Sequence, residues 1–161
     1  MNDSTNKDST HKDDAVEDGA PHDSPVRFDT KIAVLLRDDL AVWQRLNVTA
    51  FLVSGIGSAH PEVIGEAYRD ADDTIYLSEF RQPVMVFEGS AELLAAARSR
   101  ALSRGLDVAV FTADMFKTGN DADNRAAVRA VRGDDLDLVG IAVYGAKNAV
   151  DKAFKGAAMH R

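Results

Sequence analysis

Lys31-Ile-Ala-Val-Leu-Leu-Arg37 is the stretch on which the fold turns. Five apolar residues run without alternation between two charged ends. A strand with one wet face alternates apolar and polar side chains, so an unbroken run of this length marks a strand covered on both faces. Such a strand belongs in the interior of a sheet that carries helices on each side.

The residues that follow supply the helices and further strands. Asp38 and Asp39 are placed to cap a helix and to meet its positive end. That helix is read from about Leu40 to Ser54, with Gly55 and Gly57 ending it. Leu40, Trp43, Asn47, Ala50 and Phe51 share one face, and Val42, Leu46 and Val53 share another, so it is expected to be buried on two sides. After His60-Pro61 comes an irregular segment with a short helical piece near Glu62 to Ala67, then an edge strand at Thr74 to Leu77. Pro83 to Phe87 reads as a second buried strand. Ser90 caps a helix bearing Leu93, Leu94, Ala97, Ala101 and Leu102, which stops at Arg104-Gly105-Leu106, the pattern of a left-handed glycine cap. Asp107 to Phe111 is a third buried strand. Asp121 to Val131 is a helix with Ala127, Val128 and Val131 inward, and Leu136 to Tyr144 is the fourth main strand. A last helix follows Gly145, with Ala149, Val150, Ala153, Phe154 and Ala157 on one stripe and Lys147, Asp151 and Lys155 opposite. Alternation of this kind predicts an α/β fold. The architecture expected is a three-layer α/β/α sandwich around a mixed, mostly parallel sheet of about four main strands.

Charge divides the chain. Residues 1–30 hold eight acids (seven Asp and Glu17) and three bases (Lys7, Lys12 and Arg27), so −5 of the total −7 lies there and −2 remains for residues 31–161. Met1 to Pro25 has almost nothing to bury and is expected to be a disordered acidic tail ahead of one folded domain. The near-neutral remainder lacks the basic excess of a protein that grips a nucleic-acid backbone, which disfavours tRNA as a partner. No apolar run is long enough for a membrane span, and the first residues carry no apolar leader, so a cytoplasmic protein without membrane contact is expected. The chain has no cysteine, which rules out disulfides, thiol catalysis and cysteine-held zinc. Two of the four histidines, His11 and His22, lie in the tail, leaving His60 and His160, so no metal-ligand set stands out. No cofactor motif is present. Ser54-Gly-Ile-Gly-Ser58 is glycine-rich but follows a helix, unlike either phosphate-loop pattern.

Three polar stretches abut strand ends, where ligands of open α/β sheets bind. Arg37 and Asp39 form one. They present a guanidinium for a phosphate or carboxylate, or else form a strand-end salt bridge with a helix cap. Arg81 and Gln82 form the second. Thr112, Asp114, Thr118, Asn120 and Asn124 form the third and densest. Asp114 is a candidate general base or water-orienting group, and Thr118 and Asn120 are candidate holders of an oxyanion or a phosphate; the same side chains also suit capping of the next helix. Asn47 lies in what reads as the apolar seam of the first helix, near Trp43, either as a structural hydrogen bonder or as a pocket amide.

Taken together, Leu36-Arg-Asp-Asp-Leu40, Trp43-Gln-x-Leu-Asn-Val48, Phe80-Arg-Gln-Pro83, Met115-Phe-x-Thr-Gly-Asn120, Asp137-Leu-Val-Gly140 and Val150-Asp-Lys-Ala153 resemble the bacterial family catalogued as domain of unknown function two thousand, over about residues 31–160. The layout is more distantly similar to the type 2 peptidyl-tRNA hydrolases. Arg37, Asp39 and Leu40 fit their first motif, Asp114 and Thr118 their loop motif, and Asp151 and Lys152 their last helix. Where those hydrolases carry Gly-Lys and a later Gln, this chain has Arg45-Leu46 and Thr49-Ala50, and Phe116 replaces the loop glycine. The resemblance implies a type 2 peptidyl-tRNA-hydrolase-like fold. Three functions stay open: a small-molecule or nucleotide-binding domain, an ester hydrolase acting on peptidyl-tRNA or a related aminoacyl ester with Asp39 or Asp114 orienting water, and a non-catalytic interaction module. A homodimer is compatible with each.

Overall fold

A computed structural model describes residues 26–160. The acidic stretch 1–25 lies outside the described residues. Strand β1 (Thr30–Arg37) occupies the middle of a five-stranded sheet, and Ile32 to Leu36 are buried to within 1%. The unbroken apolar run is explained by what covers it. Ile32, Val34 and Leu36 pack with Val48, Leu52 and Ile56 of helix α1 (Val42–Ala59). Ala33 and Leu35 pack with Leu94, Ala97 and Ala101 of α2 (Ala91–Leu102) and with Val150, Ala153 and Phe154. Alternate residues of one strand thus feed two separate cores, as the two-residue period requires.

The remaining strands are β2 (Ile64–Arg69), β3 (Ile75–Phe80), β4 (Val84–Gly89), β5 (Asp107–Thr112), β6 (Leu138–Ala146) and β7 (Ala158–Met159), with helices α3 (Asp121–Arg129) and α4 (Lys147–Ala153). The sheet order is β5-β6-β1-β4-β7. Among the described residues only β1 and β4 pair in parallel, from Ile32 opposite Val84 to Arg37 opposite Gly89. The β1–β6, β5–β6 and β4–β7 pairs are antiparallel. The sheet is mixed, and the expectation of a mostly parallel one is corrected. The reason lies in α3. It buries none of its residues, so it does not cross the sheet as a connecting helix would. The chain leaves β5, makes α3 at the same end of the sheet, and returns along β6 in the opposite sense, between β1 and β5.

Helix α1 also departs from the sequence reading. It begins at Val42 with no side-chain cap, and the Gln44 side chain accepts the Ala41 N–H at 3.0 Å. It continues through Gly55 and Gly57 to Ala59 and stops before Pro61, where a preceding residue avoids the helical region. The two glycines serve packing: a Cβ on Gly55 would lie 3.4 Å from Ala109 Cβ, and one on Gly57 3.1 Å from the Phe80 ring. One seam of α1 is buried, Val48-Leu52-Ile56, rather than two sides. The expected helical piece at 62–67 is a 3-10 turn, Pro61–Val63, followed by β2. β2 and β3 form a separate two-stranded hairpin instead of an edge of the main sheet.

Other local readings hold. The Ser90 side chain accepts from Leu93 N–H at 3.3 Å. Gly105 adopts φ 67°, with Leu106 N–H donating to Ala101 O at 3.1 Å and Gly105 N–H to Leu102 O at 3.0 Å, the paired bonds of a Schellman ending. The last helix is shorter than expected. It ends at Ala153, and Gly156, at φ 95°, turns the chain into β7.

Candidate functional site

The outward side of α1 is where the sequence and the fold disagree most usefully. Trp43 and Phe51, expected inside, are 62% and 51% exposed. They do not stand alone in water. Trp43 meets Phe116 edge-on at 5.7 Å between centroids, Phe116 meets Phe111 at 5.1 Å, and Phe111 meets Phe51 at 5.7 Å. Four rings therefore form a continuous apolar wall from α1 to the end of β5. The wall floors a cleft of about 940 Å³, and α3 forms its other side. Its volume falls in the range of small-molecule sites, as does its mix of aromatic wall and few polar groups.

The polar lining comes from α1, the 118–120 loop and α3. Thr118 Oγ1 lies 2.8 Å from Met115 O and also hydrogen-bonds the Asn124 side-chain oxygen. The Asn124 amide nitrogen remains available. Asn120 is the N-cap of α3: its oxygen accepts from Asp123 N–H at 3.0 Å and its nitrogen donates to Asp123 Oδ2 at 2.7 Å. Asn47 lines the cleft, is exposed rather than sealed in an apolar seam, and makes no hydrogen bond among the described residues. Arg125 and Arg129, four residues apart on α3, complete the lining.

The structure thus brings together Trp43, Asn47, Thr118, Asn120 and Asn124. It does not bring the other sequence candidates to the same place. Arg37 Nε is 2.7 Å from Asp39 and Nη1 is 2.5 Å from Asp137, outside the cleft lining. Burial works against the Arg37 charge, but the hydrogen bond and charge of Asp39, with Asp137 behind them, more than offset it and raise its pKa. Asp39 is therefore held by Arg37 and does not cap α1. Asp114 is exposed and paired with Lys117 at 3.0 Å. Thr112 is buried at the end of β5. Arg81 and Gln82 precede β4, whereas Arg37 ends β1. In a parallel pair those are opposite ends, separated by roughly 20 Å of strand. Gln82 is buried and accepts a hydrogen bond from Thr30 Oγ1 at 3.0 Å, and Arg81 sits 5.9 Å over the Phe28 ring.

On the other flank of α1 lies a second groove of about 590 Å³, walled by Leu36, Leu40, Val42, Leu46 and Val86. Arg45 closes one end of it. Its Nε donates to Leu40 O at 3.0 Å, and its Nη1 lies 2.8 Å from both Glu88 Oε2 and His160 Nε2. This cluster ties the start of α1 to β4 and to the end of the chain. Sequence alone does not single out Arg45, because Glu88 and His160 are remote from it. Arg125 and Arg129 carry a usable signal in their spacing, which puts them on one face of α3.

A family model described as protein of unknown function (DUF2000) matches residues 30–161. The chain belongs to this family. The DUF2000 chain is also similar to a solved structure of a protein of unknown function from Agrobacterium tumefaciens strain C58. The two are 45% identical, the match covers 84% of this chain and all of the other, and the TM-score is 0.82. No curated protein matches it. Among the described residues, no helix is long and apolar enough to cross a membrane, and no three His, Asp or Glu side chains converge as metal ligands.

Proposed function

We propose that this chain is a small-molecule-binding domain whose ligand lies in the cleft between α1 and α3, with a planar ring against Trp43 and Phe116. The observation that carries this reading is the aromatic wall whose outer rings, Trp43 and Phe51, are left open to solvent beside the Asn47 amide and the Asn124 amide nitrogen. Packing within the chain leaves Trp43 more than half exposed, and a ring laid on it would gain both area burial and aromatic contact. The hydrolase reading is less well supported. Its two candidate carboxylates, Asp39 and Asp114, are engaged by Arg37 and Lys117 and do not line the cleft.

The finer architecture belongs to the same proposal. With α1 on one face of the sheet and α2 and α4 on the other, we read a three-layer sandwich resembling that of the type 2 peptidyl-tRNA hydrolases, in a cytoplasmic protein. Shared layout does not carry shared chemistry. Trp43 is the one tryptophan of the chain, so its fluorescence reports on the cleft directly. Titration with a panel of aromatic metabolites is expected to yield at least one that changes Trp43 emission and raises the melting temperature in step with its concentration. A ligand that raises the melting temperature without altering Trp43 emission would place binding elsewhere and defeat the proposal.

A further inference from the structure

We infer that the ligand of this cleft carries one negative charge next to its planar ring, and that Arg129 is the group that receives it. The inference rests on the reading that a ring lies against Trp43, and adds the charge class of the ligand to it.

The charged lining of the cleft is Asp121, Arg125 and Arg129, all on α3. Asp121 and Arg125, one turn apart, form an ion pair. They cancel, and the lining is left with a net +1. That charge belongs to Arg129, whose side chain has no carboxylate partner and no hydrogen bond among the described residues. A guanidinium is a rigid fork of N–H donors matched to a carboxylate or a phosphate oxygen pair. Placed at the rim of a concave, largely apolar wall, its field is focused into the cleft. The Asn124 amide nitrogen, five residues earlier on the same helix and also in the cleft lining, adds a neutral donor.

The net charge sets an upper limit as well. A ligand with three or four charges, such as a nucleoside triphosphate, would meet a single uncompensated cation and the Asp121 carboxylate beside it. It would lack the cluster of cations and the backbone cradle by which proteins hold polyphosphates. A singly charged ligand balances the site. The shared chemistry is a ring-bearing monoanion, which an aryl carboxylate and a cyclic phosphodiester both provide.

The test compares four probes by calorimetry on the full chain: phenylacetate, a cyclic nucleoside monophosphate, the matching neutral nucleoside and the matching nucleoside triphosphate. At least one monoanion is expected to bind about tenfold or more tightly than the neutral nucleoside, the difference that one charge-assisted hydrogen bond supports. Whichever monoanion binds more tightly identifies carboxylate or phosphodiester as the source. Arg129→Gln is expected to erase that preference, while Arg125→Gln lowers it less, because Arg125 is already paired. Both positions are exposed, and an unchanged circular dichroism spectrum checks that the variants fold. Asp121→Asn is expected to improve triphosphate binding. A neutral nucleoside that binds as tightly as the monoanions, or a triphosphate that binds most tightly, overturns the charge assignment and leaves the ring reading intact. Absence of binding by every ring-bearing probe removes both.

Discussion

Substituting Gly140 by alanine tests how α1 is held over the sheet. Gly140 lies on β6 beneath α1, and a Cβ there would sit 2.5 Å from Val48 Cγ1 and 2.9 Å from Leu52 Cδ1. Both neighbours are buried to within 1%. The methyl forces Val48 and Leu52 to shift, and these two side chains are the seam by which α1 grips the core. Overpacking of this kind costs about 1–3 kcal/mol. The strain should also reach the cleft, since Trp43 and Phe51 ride on the same helix and their ring contacts begin at 5.7 Å. Gly140→Ala is thus expected to lower the midpoint of urea unfolding and to shift Trp43 emission in the folded state. Val48→Ala alone removes buried methyl groups and costs roughly 2 kcal/mol. In the double variant it also removes the atom nearest the clash. The two losses should therefore fall short of additive by about 1 kcal/mol or more. Strict additivity, or a Gly140→Ala chain as stable as the wild type, would refute the claim that close helix–strand approach fixes the position of α1.

Arg45→Ala is expected to lower stability by about 1–3 kcal/mol, because it leaves Leu40 O and Glu88 without their donor; thermal unfolding checks this, and Glu88→Gln should cost less. Ser90→Ala should cost about 1 kcal/mol through the lost cap of α2, read from the same transition. Asp70 organises the β2–β3 turn, and the hydrogen bond from Tyr76, followed by that from the Thr74 backbone, lowers its pKa. A carboxyl depressed in the folded state contributes fully above its unfolded value and loses that contribution as pH falls through the folded one. The protection of the Asp72 and Thr74 amides, taken relative to their intrinsic exchange rates at each pH, should therefore stay constant from neutral pH down to the ordinary carboxylate range and fall only below it. Asp70→Asn should abolish that acid-induced change.

The sequence made the centre of the fold readable and left its flanks ambiguous, for a physical reason. Ile32 to Leu36 admit one interpretation, since five consecutive apolar residues in a strand need cover on both faces. Ser90 and Gly105 were equally plain, because capping is a local event settled by a few residues. Trp43, Leu46 and Phe51 were harder. Their spacing says that α1 is apolar on several sides, but periodicity does not say whether the chain itself covers each side or leaves a cleft there. The direction of β6 depends on whether α3 crosses the sheet, which the number of helices does not show. The polar sequence of α3 is that of a surface turn, not of a helix crossing a sheet. Arg81, Gln82 and Arg37 all flank strands, and the sequence alone does not say which end of the sheet each one reaches. Residues that precede one strand and follow its parallel neighbour necessarily sit at opposite ends. Of the candidate site, the polar loop from Thr118 to Asn124 was legible as a cluster, while its partner wall required the tertiary packing of Phe111 and Phe116 against α1.

The most direct measurement of the central claim is a map of nuclear magnetic resonance shifts on adding the tightest ring-bearing monoanion to labelled protein. The Trp43 indole N–H, the side-chain amides of Asn47 and Asn124 and the Arg129 Nε–H are expected to move together and saturate along one binding curve, with Gln82 and the hairpin at Tyr76 unmoved. Shifts gathered around Arg45 and His160 instead, with Trp43 and Arg129 unchanged, would contradict that claim.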